Sequence, residues 1–206
     1  MSNTSINLKL GKKSYDILIG NNLIEKALFE ELVKNRHVML VYDHNLDSKK
    51  VEDFLSMYSE LGATKSISIG LEASEENKSY ESIQEIQNCL IENQYSRDCL
   101  LIGFGGGIIC DLVGFCASTY QRGVDFALIP TTLLAQVDAS VGGKTAINHP
   151  KGKNMIGSFH QPVRVLIDSS FLSTLPEREI KSGMVEMIKH GIIEDEDYFN
   201  WIEENV

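Results

Sequence analysis

One long stretch of the sequence carries basic side chains and glycines but no acid. Between Ala139 and Ile167 there is no Asp or Glu, although the 206-residue chain has a net charge of −10. Fixed cations without competing carboxylates suit a small ligand that carries phosphate or carboxylate groups. We therefore predict a pocket for a small anionic ligand, lined by the basic residues Lys144, His149, Lys151, Lys153, His160 and Arg164.

A glycine-rich turn is the second candidate site. The stretch GFGGGIICD, residues 103–111, follows an apolar run and opens a segment with helical spacing. Glycines let the backbone approach a pyrophosphate, and the first turn of a helix supplies free N–H groups. A tight turn that merely needs small residues is the alternative, because the usual G-x-G-x-x-G pattern is absent. Asp43, at the end of an earlier predicted strand, is placed to bind a ribose hydroxyl.

The stretch PTTLLAQVDASVGGKTA ends another predicted strand and starts a predicted helix. The hydroxyls of Thr131 and Thr132 would face a ligand at the strand's carboxyl end, or cap the helix, and the two roles are compatible. The letters GGKT resemble the end of a P-loop, but Asp138 stands where that motif requires its first glycine. This mismatch excludes a P-loop nucleoside triphosphatase.

A possible metal-binding face lies near the C-terminal end of the sequence. Glu186, Lys189 and His190 are spaced to share one side of a helix. Glu and His four residues apart can ligate zinc. The alternative is a solvated face with an internal ion pair, which the spacing alone favours.

Short apolar runs predict the strands that must position these residues, at 37–43, 66–70, 99–107, 125–130 and 163–168. Segments with helical spacing lie between them. Alternation of strand and helix favours a Rossmann-like, doubly wound α/β domain with a mostly parallel sheet. In the opening segment INLKLGKKSYDILIG, apolar and polar residues alternate on both sides of Gly11, which predicts a hairpin at the sheet edge.

After Asp168 the spacing is helical only. We therefore predict an α/β domain over residues 1–169 and the beginning of an all-α domain over residues 170–206. Because the helical part stops after a few turns, we expect the chain to be truncated. Ser173 or Thr174 is predicted to cap a helix near Pro176.

Composition narrows the classes of partner. The acidic balance disfavours nucleic acid, whose binders neutralise phosphates with basic surface. No apolar run reaches the ~18 residues of a membrane span, and the N-terminus lacks a signal-like apolar core, so we expect no membrane partner and a cytoplasmic protein. The spacing of the cysteines argues against disulfides and a Cys-based zinc site, and predicts buried free thiols at Cys89, Cys99, Cys110 and Cys116.

The segments GGGIICDLVGFCASTYQRG, PTTLLAQVDASVGGKTAINHPKGKNMIGSFHQP and TLPEREIKSGMVEMIKHGI together resemble the 3-dehydroquinate synthase family of sugar phosphate cyclases. The resemblance implies conversion of 3-deoxy-arabino-heptulosonate 7-phosphate to 3-dehydroquinate and phosphate, in the shikimate pathway to aromatic amino acids. It also implies catalytic use of NAD+ and a divalent metal, Zn2+ or Co2+. The anionic sugar phosphate would account for the acid-free basic stretch.

The resemblance also implies residue roles. It implies NAD+ contacts from Asp43, Glu75, Lys78, Gly106, Gly107, Ile108, Asp111, Thr131, Thr132, Lys144, Lys153, Phe171 and Thr174. It implies substrate-binding and catalytic roles for Asp138, Lys144, Lys153, Asn154, Lys189 and Arg122. Arg122 would reach the substrate phosphate from the neighbouring subunit of a homodimer. Glu186 would be a metal ligand, with the other ligands beyond this chain, and His190 would be structural or would support the site indirectly.

Departures from the family pattern affect the cofactor site. Glu72 and Ser74 replace the proline and glycine of a P-x-G-E-x-x-K turn, and Cys110 replaces a usual glycine. Because a catalytic zinc takes three protein ligands, Glu186 alone predicts that the 206-residue chain is inactive by itself. The alternatives are another sugar phosphate cyclase, a metal-dependent polyol dehydrogenase, and a domain that binds a nucleotide without catalysis.

Overall fold

The computed structural model describes residues 3–205. Its strands are β1 Thr4–Leu8, β2 Tyr15–Gly20, β3 His37–Asp43, β4 Lys65–Leu71, β5 Leu100–Gly105, β6 Asp125–Pro130, β7 Lys144–His149, β8 Gly152–Phe159 and β9 Arg164–Asp168. Its α-helices are α1 Lys26–Val33, α2 Ser48–Glu60, α3 Tyr80–Glu92, α4 Gly107–Thr119, α5 Glu177–Glu194 and α6 Glu196–Asn205.

The main sheet has seven strands in the order β1-β2-β9-β6-β5-β3-β4. Every neighbouring pair is parallel except β1 and β2, which form the predicted antiparallel hairpin at the edge. The predicted Rossmann-like α/β fold with a mostly parallel sheet is therefore confirmed. The strand prediction works because strands covered on both faces appear in the sequence as continuous apolar runs.

Helices cover both faces of this sheet, and alternate residues of each strand enter different cores. On β5, Leu101 packs with the face covered by α3 and α4. Its neighbours Leu100 and Ile102 pack with the face covered by α1 and α2. This period of two places successive side chains on opposite faces of the sheet, so both layers are anchored on one strand.

The basic stretch forms a feature that the sequence analysis did not predict. Strands β7 and β8 pair as an antiparallel hairpin separate from the main sheet, and the hairpin packs on α4. Gly114 of α4 lies against Thr145, and a Cβ at residue 114 would overlap the Thr145 methyl group. The glycine therefore allows the hairpin to approach the helix that follows the glycine-rich turn.

The segment after β9 is helical, as predicted. A 3₁₀ turn over Ser169–Thr174 leads into α5 and α6, and no strand occurs within residues 169–205. The predicted cap is wrong, because Pro176 occupies the N-cap position of α5. The Ser173 hydroxyl donates to the Ser170 carbonyl at 2.8 Å instead. Likewise, Thr174 Oγ1 donates to the Phe171 carbonyl at 3.4 Å.

The domain division at residue 169 stays a prediction, and its outermost residues Met1, Ser2 and Val206 lie outside the described range. Within that range, α5 packs against the segment that follows β6, where a Cβ at Gly183 would overlap Leu133. None of the described helices is both long enough and apolar enough to cross a bilayer.

Candidate functional site

The glycine-rich turn connects β5 to α4 and is shaped for close approach of a ligand. Gly106 is the extended N-cap residue of α4. A Cβ at Gly106 would lie 3.0 Å from Thr132 Cγ2, and one at Gly107 would lie 3.2 Å from Ala139 Cβ. With Ile108 in the first helical turn, the backbone forms a cradle at a helix N-terminus, which fits the pyrophosphate of a dinucleotide.

Cys110 does not obstruct this cradle. Its side chain is buried in the core between the sheet and the helices α3 and α4. Burial raises the pKa of the Cys110 thiol. The thiol is therefore neutral near pH 7, and its sulfur lies 4.0 Å from the Gly105 carbonyl oxygen, buried in the core. All four cysteines are free, as predicted, but only Cys99, Cys110 and Cys116 are buried; the prediction of a buried thiol is wrong for Cys89, which is half-buried.

Thr131 and Thr132 follow β6 beside the glycine-rich turn. The Thr131 N–H donates to the Gly105 carbonyl at 2.9 Å, which ties the two strand ends together. Thr132 Oγ1 accepts from the Ala135 N–H at 3.2 Å and so has a capping role. The segment that it caps contains a π-helical turn, Ala135–Ala139, where the sequence predicted a helix.

Lys78 is the centre of a buried polar cluster. Its Nζ lies 2.5 Å from Asp111 Oδ2. The same Nζ donates to Asn154 Oδ1, also at 2.5 Å. Burial raises the pKa of Asp111, while Lys78 and a hydrogen bond from the Ala146 backbone counteract that rise. Lys78 thus joins α4 to the β7–β8 hairpin, and predicted cofactor residues to a predicted substrate residue.

The turn between β4 and α3 faces the tip of the hairpin. Glu75 Oε2 lies 3.3 Å from Lys153 Nζ, and both side chains are largely exposed. The pKa of Glu75 is lowered, chiefly by a hydrogen bond from Asn148. Among residues 3–205, Ser74 is not one of those with a left-handed backbone, so the turn tolerates serine in place of the family's glycine.

Asp43, Phe171 and Thr174 lie at the carboxyl ends of β3 and β9, on the same edge of the sheet as the glycine-rich turn. Asp43 Oδ1 accepts from the backbone N–H of Asn45 at 3.0 Å. The Phe171 ring packs 5.4 Å from the Phe104 ring. Ligands of open parallel sheets bind at this edge. The placement suits the adenosine side of a dinucleotide.

The basic stretch does not line a single pocket, and that prediction is wrong for two of its members. Arg164 begins β9 and so lies at the end of the strand opposite to the carboxyl edge that carries the glycine-rich turn. Its side chain donates to the Leu28 carbonyl at 2.9 Å. The His160 ring stacks on Phe126, with the ring centres 5.3 Å apart. Lys144 is exposed at the start of β7, while Lys153 and Asn154 lie near Glu75 and Lys78.

Arg122 is far from the glycine-rich turn of its own chain. It lies in the 3₁₀ turn Tyr120–Arg122, beyond the C-terminal end of α4. The glycine-rich turn lies at the N-terminal end of that helix, roughly 20 Å away at 1.5 Å per residue. The role of Arg122 in a neighbouring subunit's site stays a prediction.

Three possible metal-ligating side chains meet where α5 packs beside the π-helical turn. Asp138, Glu186 and His190 each offer a ligand atom within 4.8 Å of the others. Lys189 forms an ion pair with Glu186, which raises the pKa of Lys189. Carboxylate oxygens and an imidazole nitrogen fit Zn2+ or Co2+. The spacing argument favoured a solvated face, since it could not show Asp138 beside this helix.

Comparison with known proteins identifies the family. The profile of the family described as "3-dehydroquinate synthase N-terminal" matches residues 68–182. The chain belongs to the 3-dehydroquinate synthase family. It is 46% identical over 202 residues to the 3-dehydroquinate synthase of Vibrio atlanticus, covering 98% of this chain and 56% of that protein. It is also 46% identical to the enzyme of Shewanella pealeana, covering 97% of this chain and 55% of that protein.

The chain therefore spans little more than half the length of its 3-dehydroquinate synthase relatives. Solved structures agree on the fold. A 2-epi-5-epi-valiolone synthase from Streptomyces hygroscopicus, with NAD+ and Zn2+ bound, matches 92% of this chain and 52% of its own at a TM-score of 0.83 and 28% identity. The match to a 2-deoxy-scyllo-inosose synthase with carbaglucose-6-phosphate, NAD+ and Co2+ also covers 92% of this chain and 52% of the other, at a TM-score of 0.83 and 23% identity.

The part that matches the 3-dehydroquinate synthase profile contains most of the predicted site. Only Asp43, Glu186 and Lys189 lie outside residues 68–182. Within that part, the sequence analysis missed Asn148, which bonds to Glu75 at the tip of the hairpin. The signal was present, because the turn residues HPKG stand between two segments that alternate as strands do.

Proposed function

We propose that this chain is the cofactor-binding part of a 3-dehydroquinate synthase, which converts 3-deoxy-D-arabino-heptulosonate 7-phosphate to 3-dehydroquinate and phosphate. The observation that carries the proposal is the position of Lys78, which bonds both Asp111 beside the glycine-rich turn and Asn154 of the hairpin. A hydride transfer requires the cofactor and the substrate to lie side by side. One buried lysine between their predicted ligands supports that arrangement.

The proposed NAD+ site runs along the carboxyl edge of the sheet. Gly106, Gly107 and Ile108 would give backbone N–H groups to the pyrophosphate, next to Thr131 and Thr132. Asp43 would bind the adenine ribose, with Phe171 and Thr174 nearby. Glu75, Lys78, Asp111, Lys144 and Lys153 would complete the contacts. The close fit of Gly106 against Thr132 supports this site, because it leaves room for backbone alone.

The proposed substrate site lies between the hairpin and α5. Lys144, Lys153, Asn154 and Lys189 would hold the phosphate and carboxylate of the substrate, and Asp138 would accept from one of its hydroxyls. Arg122 would come from the second subunit of a homodimer, since it lies beyond the far end of α4 in its own chain. These residue types match a small, doubly anionic ligand.

The proposed metal site is centred on Glu186, whose carboxylate fits a divalent ion; Asp138 and His190 have ligand atoms within 4.8 Å of it, and we assign Asp138 to the substrate and His190 to indirect support of the site. When bound, NAD+ would take up and return a hydride, while the metal would polarise the substrate oxygen at the carbon being oxidised. The ion pair holds Lys189 beside Glu186, so the substrate would approach next to the metal.

We further propose a division into an NAD-binding domain, residues 1–169, and the beginning of a helical domain, residues 170–206. The match covers 56% of the Vibrio atlanticus relative, so the remaining metal ligands would come from the part of the enzyme that lies outside the match. On this basis the 206-residue chain by itself releases no phosphate from the substrate.

Calorimetric titration of the chain with NAD+, followed by the heptulosonate phosphate, tests the proposal. We expect NAD+ to bind in the micromolar-to-millimolar range and Gly106→Val to abolish that binding. A chain that is folded but does not bind NAD+ would contradict the cofactor site. Net NADH formation with a polyol would instead favour a metal-dependent polyol dehydrogenase.

A further inference from the structure

Asn148, at the end of β7, connects the hairpin to the turn that precedes α3. Its backbone N–H donates to the Lys78 carbonyl at 2.7 Å. Its side-chain Nδ2 donates to the Glu75 carbonyl at 3.0 Å and to Glu75 Oε2 at 2.8 Å. These bonds join two segments that are distant in the sequence, since Glu75 and Asn148 are 73 residues apart.

The other end of the same amide holds Asn154. Asn148 Oδ1 accepts from the Asn154 backbone N–H at 3.0 Å. The bonds on its two sides determine the orientation of the Asn148 amide, because Glu75 needs a donor and the Asn154 N–H needs an acceptor. Both ends of one side chain are therefore in use, and replacing it would release the turn and the hairpin together.

Asn154 itself has a left-handed backbone conformation, with φ at 56°. This conformation is uncommon outside glycine, and asparagine is one of the residues that adopt it most readily. It directs the Asn154 side chain toward Lys78, which donates to Asn154 Oδ1. An amide whose oxygen bonds Lys78 presents its Nδ2 donors away from that lysine, where they would serve a ligand.

Asn148 also orients Lys153 indirectly. Glu75 Oε2 accepts from Asn148 and lies 3.3 Å from Lys153 Nζ. Glu75 and Lys153 are both largely exposed, so their ion pair alone would be weak. The hydrogen bond from Asn148 fixes the carboxylate with which Lys153 pairs.

We propose that Asn148 is a positioning residue for the anion site, because it fixes Asn154 and Lys153 in the arrangement in which they would hold the substrate. The inference depends on the proposed function for the identity of that substrate. The hydrogen bonds of Asn148 form within the chain without any ligand, so the positioning role and the identity of the substrate can be tested separately.

The test uses the 206-residue chain, labelled with 15N, and the variant Asn148→Ala. Amide hydrogen exchange at Asn154 should be about five- to tenfold faster in the variant, the factor expected from loss of one hydrogen bond. In the presence of NAD+, affinity for the heptulosonate phosphate should fall by at least a similar factor. Unchanged exchange at Asn154 would overturn the inference.

Asn77→Ala is the matched control. Asn77 belongs to the same turn and donates to the Glu72 carbonyl at 3.2 Å and to the Glu72 carboxylate at 3.3 Å, and among residues 3–205 its side chain forms no hydrogen bond to the hairpin. We expect wild-type exchange at Asn154 and wild-type affinity in this variant. If both variants lose affinity equally, Asn148 has only a structural role and the inference fails. If wild-type chain does not bind the sugar phosphate, the proposed substrate site fails, and exchange at Asn154 still decides whether Asn148 positions it.

Discussion

Lys78 Nζ and Asp111 Oδ2 lie 2.5 Å apart, in an ion pair whose side chains are only 7% and 18% exposed. A pair this buried requires both members, because removing one leaves the other charge largely buried without its ionic partner. The pair also lies where the turn before α3, helix α4 and the hairpin meet. Its loss would therefore affect stability and ligand binding together.

Replacing the buried lysine tests this relationship. Lys78→Met should lower the free energy of unfolding by about 3 kcal/mol, since Asp111 is left unpaired. Urea unfolding followed by circular dichroism measures the change. The double variant Lys78→Met/Asp111→Leu should recover part of the stability but not NAD+ binding, because both proposed cofactor contacts are gone.

Lys181→Met is the control for this variant. Lys181 forms an ion pair with Glu177 at 2.6 Å, but both side chains are more than two-thirds exposed, at 71% and 80%. Its removal should cost less than about 1 kcal/mol. Equal effects of Lys78→Met and Lys181→Met would show that burial does not distinguish the two pairs.

The contact between α4 and the hairpin should be sensitive to a single methyl group. Gly114→Ala places a Cβ against the Thr145 methyl, and we expect destabilisation of about 1–3 kcal/mol from overpacking. Thermal unfolding measures the change. In a Thr145→Ser background the clash is relieved, while the serine hydroxyl can keep the bond to the Ser158 carbonyl, which is 3.0 Å long for Thr145. If Gly114→Ala is as destabilising in the Thr145→Ser background as in the wild-type chain, the Thr145 methyl is not what a Cβ at residue 114 meets.

The pKa of Glu75 reports on the hairpin contact. Its pKa is lowered from 4.5, so the ionised carboxylate stabilises the folded chain. That contribution is complete above pH 4.5 and is lost as the pH falls through the lowered pKa. Asn148→Ala removes the largest cause, and the pKa should rise toward 4.5 in an NMR titration of the side-chain carboxyl.

Glu81 provides an internal reference in the same titration. Its pKa is also lowered, chiefly by a hydrogen bond from Ser79, which does not involve Asn148. The pKa of Glu81 should therefore be the same in the wild-type and variant chains. A parallel rise in both pKa values would indicate a general change in the fold and not the loss of one hydrogen bond.

The metal site can be tested with Co2+, whose visible absorption reports the ligands. Co2+ affinity should fall about tenfold or more in Glu186→Gln, because a direct ligand loses its charge. His190→Gln tests whether the imidazole contributes. Glu177→Gln, on the exposed face of the same helix, is the control and should bind Co2+ as the wild-type chain does. Equal affinity in Glu186→Gln and Glu177→Gln would exclude Glu186 as a ligand.

Local patterns in the sequence determined the architecture of the main sheet. Runs such as 100–105 and 126–130 are apolar throughout because both faces of the sheet are covered, and this property is local to each strand. The edge hairpin around Gly11 and the helical spacing after Asp168 were visible for the same reason. The glycine-rich turn was recognisable because its backbone requirement is local to a few residues.

Only the tertiary structure decided which candidate residues meet. The basic stretch looked like one pocket in sequence, but its residues lie in different strands, where Arg164 bonds to the Leu28 carbonyl and Asn154 bonds to Lys78. Lys78 and Asp111 are 33 residues apart by their numbering, and their pairing depends on how α3 and α4 pack together. The approach of Asp138 to Glu186 and His190 likewise requires α5 to pack beside the π-helical turn. Such long-range contacts are set by the packing of whole elements, and residue spacing along the chain does not encode them.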